Sequence, residues 1–246
     1  MSQALFSTAS GATYYEKRLD VLANNLANIN TAGYKQDKLI FRIPKEEGPE
    51  TKVPGDTGFL YSPPPIPAGT TVDFSPGTLK ATGNPLDLAL HGDGFFCVES
   101  PGGTWYTRKG HFSLDQDGVM VTKEGHPVQG KNGPIKVFGQ DVRIDENGNV
   151  YADGEAVGTI KVVDIQDRHH LRKMGDALLA PTQGAAQEIK DPNVLIKQGF
   201  LEESNVNGLR AMTEMIDVMR GYESYQKIIQ YLDDVTRRSI SDVGKL

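Results

Sequence analysis

The residues that could carry out chemistry in this chain are few, and their spacing does not assemble a reactive site. The only cysteine, Cys97, lies in the apolar run Phe95–Val98. We expect it to be a small core residue, because no motif supplies the base that a nucleophilic thiol needs. His169 and His170 are adjacent, so their side chains point apart in most backbones and are poorly placed to share a metal ion. No Ser/His/Asp order, phosphate-binding loop or zinc-binding HExxH helix is present. The sequence therefore predicts no catalytic residue.

Two acidic segments, Asp115–Gly118 and Asp145–Asn149, resemble calcium-binding loops at first reading. An EF-hand loop requires oxygen ligands at positions 1, 3 and 5, Gly at position 6 and Glu at position 12. In both segments the Gly falls at position 4 instead, and turn formation explains them without a metal. Gly92–Phe96 is followed by no helix, so it is not a dinucleotide-binding sequence. We expect neither a metal nor a cofactor.

The charge distribution excludes some classes of partner. The 246 residues carry a net charge of −6, while residues 206–246 contain six basic and six acidic residues. No basic field suited to nucleic acid is present, and near-neutral ends can approach other copies without long-range repulsion. No run of 18 apolar residues occurs, so membrane insertion is not expected. The first eleven residues lack the basic start of a signal peptide.

Helical periodicity marks both ends of the chain. In residues 1–30, two sets of residues spaced by seven interleave as the a and d positions of a coiled coil. In residues 208–240, apolar residues step by three and four, and Met212, Ile216 and Met219 widen this stripe. The seam residues that form our candidate assembly interface are Leu5, Leu19, Leu22, Leu26, Ile29, Met215, Val218, Tyr222, Tyr225, Ile229 and Leu232.

Neither terminal helix can bury its apolar seam alone, so each is the other's expected partner. Two helices make a thin core, and we expect further copies of the protein to cover the remaining apolar surface. An alternative is that both helices fold back onto the middle of the chain. Ser204–Gly208 offers several N-caps for the second helix. Asn30–Gly33 ends the first helix, with Gly33 as its C′ residue.

The middle of the chain differs from the two ends in its proline content and in the length of its apolar runs. Residues 44–77 are rich in proline, which favours an extended arm or linker. From about residue 78 to 200, short apolar runs are separated by Asp-Gly and Asn-Gly turns, as in an antiparallel meander or small barrel-like sandwich. The predicted strands are Leu86–Leu90, Phe95–Val98, Trp105–Thr107, Phe112–Leu114, Val119–Thr122, Ile135–Val137, Val142–Ile144, Val150–Ala152 and Thr159–Val163.

The predicted fold class is α+β, with long terminal helices forming a coiled-coil layer and a central antiparallel all-β domain. The expected divisions are an N-terminal helix in residues 1–35, an arm in 36–77, a β-rich domain in 78–203 and a C-terminal helix in 204–246.

Three segments carry a resemblance to a known family. Ala23–Lys35 (ANNLANINTAGYK) resembles the amino-terminal signature of bacterial flagellar rod and hook proteins. Gly199–Asn207 (GFLEESNVN), followed by Glu214–Ile216 and Arg220–Glu223, is similar to the carboxy-terminal signature of the same family. Two further segments of the middle of the chain, Gly92–Phe96 and Tyr106–Phe112, also resemble the family. The two terminal signatures occur in the right order, and the resemblance covers most of the chain.

The resemblance implies a non-enzymatic structural subunit of the flagellar basal-body rod, which transmits torque from motor to hook. The implied partners are other copies, other rod proteins and the flagellar type III export apparatus, with no small-molecule substrate. The implied location is the periplasmic rod, reached without a cleaved signal peptide. Two types with a single β-domain fit the length, and Gly133–Ile135 and Asp164–Asp176 look more like the proximal type than the distal type.

Two readings outside this family stay open from the sequence. A secreted β-rich binding module with helical oligomerisation ends would need an exposed aromatic platform, and Trp105 is the sole tryptophan. The other reading is a β-rich hydrolase, for which no catalytic residues were found.

Overall fold

A computed structural model describes residues 2–42, 66–182, 188–190 and 194–243. Two long helices lie near the ends of the chain, α1 (Ser2–Ala27) and α2 (Gly208–Val243), and a short 3₁₀ helix spans Arg168–His170. The first strands are β1 (Asp37–Arg42), β2 (Ile66–Val72), β3 (Leu79–Ala81), β4 (Leu88–His91), β5 (Phe95–Ser100), β6 (Gly103–Thr107), β7 (Phe112–Leu114), β8 (Met120–Thr122), β9 (Gln129–Gly130) and β10 (Gly133–Pro134). The later strands are β11 (Val142–Ile144), β12 (Asn149–Ala152), β13 (Glu155–Thr159), β14 (Val162–Ile165), β15 (Leu171–Gly175), β16 (Leu178–Pro181), β17 (Glu188–Lys190), β18 (Leu195–Gln198) and β19 (Phe200–Glu202). The predicted α+β class, with a helix near each end and a β-rich middle, is confirmed.

The start of α2 is fixed by one of the predicted capping residues. The Asn207 side-chain oxygen accepts a hydrogen bond from the Arg210 N–H at 3.0 Å. The Asn207 carbonyl accepts from the Ala211 N–H at 2.9 Å. Asn207 therefore satisfies donors of the first helical turn that would otherwise have no partner.

The end of α1 was predicted wrongly. The helix stops at Ala27, and residues 28–30 form a turn instead of continuing it. The Asn25 side-chain amide donates to the Asp37 carbonyl at 2.9 Å and accepts from the Asp37 N–H at 2.8 Å. The Asn25 side chain thus holds the backbone at the start of β1 against the last turn of α1.

Gly33 is not the C′ residue of α1. Its φ of 67° is left-handed, as predicted for a Gly that ends a helix, but its N–H donates to the Glu202 carbonyl at 2.7 Å. A Cβ on Gly33 would lie 2.3 Å from the Lys109 nitrogen. Only glycine fits this close approach of three chain segments.

The chain divides into two compact units. The helical unit contains Met1–Ala27, Asp37–Thr71 and Asn207–Leu246, and the β unit contains Asn28–Gln36 and Val72–Val206. In the helical unit, α1 packs against α2 and β1. β1 pairs with β2. β2 lies in the part of the proline-rich segment that the structure describes. Residues 43–65 of the predicted arm lie outside the described residues.

The β unit is built around a six-stranded sheet with the order β15-β16-β6-β5-β14-β17. A three-stranded sheet, β11-β12-β13, and several two-stranded pairs accompany it. Pairings among β3–β19 are antiparallel. Central strand β5 sends Phe96 and Val98 into one apolar cluster and Phe95 and Cys97 into another. Alternation along this strand therefore buries apolar side chains on both faces of the sheet.

Strand prediction succeeded where hydrogen bonding is local. β7 and β11 have the predicted bounds, and Asp153 and Gly154, with φ of 49° and 90°, form the tight turn between β12 and β13. Predicted strand Ile135–Val137 is wrong. Ile135 donates to Val128 while Val137 donates to Gly118, so no continuous ladder forms.

Predicted strand Thr159–Val163 is also wrong, since it divides into the end of β13 and the start of β14. Between them, the Ile160 N–H donates to Gly148 and the Lys161 N–H to Gln129. The chain therefore changes partners at this point.

Candidate assembly interface

Two Gly-Tyr pairs fix how α1 and α2 pack. A Cβ on Gly11 would lie 2.3 Å from the Tyr225 ring, and a Cβ on Gly221 would lie 2.3 Å from the Tyr15 ring. The Tyr15 and Tyr225 ring centroids are 5.4 Å apart. Each helix thus presents a Gly and, four residues later, a Tyr, and the reciprocal match makes the helices antiparallel. Gly11, which looks like a fault in the heptad pattern, is the space into which a partner ring packs.

The predicted seam residues of α2 all face inward. Val218 is buried, and the others are half-buried: Met215, Tyr222, Tyr225, Ile229 and Leu232. In α1, Leu22 is buried and Leu19 and Leu26 are half-buried, while the Leu5 side chain lies outside the described residues. Ile29 is half-buried in the turn after α1 and belongs to the β unit. The α2 seam residues, together with Leu19, Leu22 and Leu26, we name the inner seam.

The outward part of α2 carries two groups of exposed apolar side chains. The N-terminal stripe consists of Leu209, Met212, Ile216 and Met219, which are 80%, 52%, 52% and 47% exposed. The C-terminal stripe consists of Ile228, Tyr231 and Val235, which are 46%, 68% and 38% exposed. The residues that were predicted to widen the inner seam therefore lie outside it. They form an apolar surface that the described helical unit leaves in contact with solvent.

A buried ionic cluster joins the two terminal signatures inside the β unit. Glu202 is 1% exposed and forms ion pairs with Lys35 and Arg108, which are also buried. Lys35, 167 residues from Glu202 in sequence, also donates to the Ser75 carbonyl at 2.8 Å. Glu202 also accepts from the Gly77 N–H at 2.9 Å. One carboxylate thus holds four separate segments of the chain together.

Burial sets the electrostatics of this cluster. Burial lowers the pKa values of Lys35 and Arg108, and the nearby Glu202 carboxylate partly offsets that effect by favouring their charged forms. Arg108 also lies over the Phe95 ring, 5.5 Å from its centroid. Because both cations are removed from water, Glu202 is the counterion on which their burial depends.

Asn205 fixes the neighbouring backbone. Its side-chain oxygen accepts from the Gln36 N–H at 2.8 Å, and its nitrogen donates to the Asp73 carbonyl at 2.9 Å. Asn25 and Asn205 come from the two different signatures, and both use their side-chain amides to hold main chain.

The residues considered for chemistry have structural explanations. Burial raises the pKa of Cys97 to about 12, which disfavours the thiolate. Asp115 accepts from the N–H groups of Asp117 and Val119, and Asp145 accepts in the same way from Asn147 and Asn149. Both acidic segments are thus turns held by their first carboxylate, as predicted.

Metal binding and membrane crossing can also be assessed for the described residues. Among the described residues, no group of three or more His, Cys, Asp or Glu side chains is placed to hold a metal ion. No described helix combines the length and the apolar character needed to cross a membrane.

Three family profiles match consecutive parts of the chain. Residues 7–35 match "Flagella basal body rod protein", residues 89–152 match "Flagellar hook protein FlgE/F/G D1 domain", and residues 197–242 match "Flagellar basal body rod FlgEFG protein C-terminal". The flagellar basal-body rod protein FlgF of Caulobacter vibrioides is 32% identical over 250 residues, covering 100% of both chains.

The chain belongs to the flagellar basal-body rod protein family. The rod protein FlgG of Bacillus subtilis is 33% identical, covering 98% of this chain and 99% of that protein. FlgF of Escherichia coli is 32% identical, covering 97% of each. Relatives with the two names match about equally well, so these identities do not separate the FlgF and FlgG types.

Two of the family profiles include residues of the buried ionic cluster close to one of their ends. The first profile ends at Lys35 and the last begins five residues before Glu202. Sequence reasoning missed Lys35, Arg108 and Glu202 as a unit, although all three lie in segments that resemble the rod family. In the sequence, each of the three is a charged residue close to apolar or aromatic residues. A charged residue by itself predicts only an exposed side chain.

Proposed function

We propose that this chain is a non-enzymatic structural subunit of the bacterial flagellar basal-body rod, located in its periplasmic part. The observation that best supports this function is the similarity over the full chain length to relatives named basal-body rod proteins, at 32% and 33% identity. We further propose that the subunit assembles through its terminal helices with other copies and with other rod proteins.

The exposed surface of α2 supports assembly through the helices. The α2 side of the inner seam is covered by α1 of the same chain, whereas the N-terminal and C-terminal stripes expose seven large apolar side chains. Apolar surface of this kind gains free energy when a neighbour covers it. The helix pair then contributes to a coiled-coil layer made by many subunits, with the inner seam holding each pair together and the stripes joining pairs.

Export and torque transmission complete the proposal. The subunit is exported by the flagellar type III apparatus without a cleaved signal peptide, and the assembled rod transmits torque from motor to hook. We assign the chain to the proximal type because of Gly133–Ile135 and Asp164–Asp176. The distal type, to which we assign the name FlgG, is the second candidate, because relatives named FlgF and FlgG match this chain about equally well. Locating the chain along intact rods by electron microscopy distinguishes the two.

The assembly proposal is tested by adding one charge to the N-terminal stripe. Met212→Asp places a carboxylate where a neighbour would remove it from water, at a cost of several kcal/mol if it has no partner. Cells with this variant are expected to export the subunit but to lose swimming and complete rods. The isolated protein keeps the thermal melt of its β unit, because Met212 is outside that unit.

Thr213→Asp is the matched control. It adds the same charge one residue away, at an exposed position that is already polar. Swimming is expected to persist in this variant. Normal rods and normal swimming with Met212→Asp would remove the N-terminal stripe from the interface.

A further inference from the structure

The two apolar stripes of α2 lie on different flanks of the helix. At about 100° per residue, the N-terminal stripe is centred roughly 130° to one side of the inner seam. By the same measure the C-terminal stripe is centred roughly 120° to the other side. α2 therefore has three apolar faces, of which α1 covers one. The other two lie on opposite flanks and at opposite ends of the helix.

Each flank is apolar over one half of α2 and polar over the other. The flank of the N-terminal stripe continues with Glu223, Lys227 and Gln230, all exposed. The flank of the C-terminal stripe is preceded by Thr213, Asp217 and Arg220, which are also exposed. Two parallel α2 helices placed side by side at the same height would bury Asp217 and Arg220 against apolar residues. That arrangement is costly, because charges removed from water need partners.

The two stripes have the same internal spacing. Leu209, Met212 and Ile216 step by three and then four residues, as do Ile228, Tyr231 and Val235. Each member of the C-terminal stripe lies 19 residues after one member of the N-terminal stripe. A displacement of 19 residues, about 28 Å at 1.5 Å per residue, therefore aligns the stripes residue by residue when the helices are parallel. An antiparallel arrangement reverses the order of the steps and loses this match.

We propose that the N-terminal stripe of one copy packs against the C-terminal stripe of the next copy, with parallel α2 helices displaced by about 28 Å along their axes. This inference rests on the proposed assembly of the chain into the rod, and it names the partner surface. The contact is head-to-tail, because each copy offers two different surfaces, one on each flank. Contacts of this kind extend into open helical arrays, whereas a stripe that paired with itself would close into a dimer.

Disulfide trapping between copies tests the pairing. Met212→Cys and Tyr231→Cys are introduced into separate copies of the full chain, which are produced together in flagellated cells. Basal bodies are then isolated and oxidised. Cys97 is fully buried, so the unaltered chain gives the background. We expect a covalent dimer from the mixed copies and none from either variant alone. Ile216→Cys mixed with Val235→Cys tests the same displacement at a second position.

Thr213→Cys gives the matched control for height. Thr213 lies 18 residues before Tyr231, which is about five turns at 3.6 residues per turn, and so lies on the same flank. Met212→Cys mixed with Thr213→Cys is expected to give no dimer.

Several results would overturn the inference. A dimer from Met212→Cys with Thr213→Cys would show neighbours at equal height. A dimer from Met212→Cys alone would show a self-paired stripe. Bonding only to a different protein, or no dimer from either displaced pair in rods that contain the variants, also contradicts it. If the unaltered chain is absent from isolated basal bodies, the proposed function fails instead.

Discussion

The β unit and the helical unit differ in how completely each buries its own apolar surface. In the β unit, the central strand β5 is covered on both faces, and even the charged Lys35, Arg108 and Glu202 are buried and paired. In the helical unit, the buried side chains among those described in α2 are Ala211 and Val218. The same helix exposes two apolar stripes.

The two units therefore obtain their stability from different sources. The β unit has the long-range contacts and the closed core of a domain that folds alone. In the helical unit, α1 and α2 pack along the narrow inner seam and through two Gly-Tyr contacts. Because α1 covers only one of the three apolar faces of α2, little apolar surface is buried. If the proposed assembly is right, these helices gain the rest of their burial from a neighbouring subunit, so substitutions in the two units are expected to have different consequences.

The largest expected difference comes from adding a charge to each core. Ile144 is buried in the main apolar cluster of the β unit, so Ile144→Asp should unfold the subunit and leave little soluble protein. Leu22 is buried in the helical unit. Leu22→Asp should leave a soluble protein whose β unit still melts cooperatively, while cells build no complete rod. Solubility, thermal melting and swimming of both variants are the measurements. Identical behaviour of the two variants would abolish the distinction between the units.

The next largest effect is expected at the ionic cluster. Glu202→Gln removes the counterion of two buried cations, so the β unit should lose about 3–5 kcal/mol of unfolding free energy. Glu203→Gln is the matched control, because Glu203 is the next residue in sequence, pairs with Lys80 at 3.7 Å, and has an exposed side chain, as Lys80 does. A surface pair of this kind contributes about 0–1 kcal/mol. Urea unfolding followed by Trp105 fluorescence measures the unfolding free energy of both variants. Equal losses would mean that the buried cluster stabilises the β unit no more than the surface pair does.

The smallest effect is expected at the helix pair. Ala raises helix propensity over Gly by about 1 kcal/mol, yet a Cβ on Gly221 collides with the Tyr15 ring. Gly221→Ala should therefore weaken pairing by about 1–3 kcal/mol and speed amide hydrogen exchange in α1 by roughly tenfold or more. Ser224→Ala, at an exposed position of α2, should not. If Gly221→Ala instead slows exchange, the close Gly-Tyr contact does not limit pairing.

Local patterns were read well in both units. The heptad spacing placed Met215, Val218, Tyr222, Tyr225, Ile229 and Leu232 on the face of α2 that is buried or half-buried. Asp153-Gly154 marked a hairpin turn. The N-cap lay within the predicted segment. These features depend on residues within a few positions of one another, and such residues interact whatever the rest of the chain does.

Features that depend on distant partners were missed. β15–β19 and the order of the six-stranded sheet gave no distinct signal, since strand pairing depends on partners far away in sequence. The residues that widen the α2 stripe were assigned to the inner seam. Periodicity gives the angle of a residue around the helix but does not say which neighbour is present.

The order of the large elements, with a helix near each end and strands between them, can be predicted from the amino-acid sequence, because helical period, turn residues and apolar runs act over short distances. The end of α1 at Ala27 depends on the folded chain, in which Asn25 bonds to Asp37 and Gly33 bonds to Glu202. Only the tertiary structure brought Lys35 to Glu202 across 167 residues. A buried charge is stabilised by partners that folding brings close, and their proximity in space cannot be predicted from their spacing along the chain.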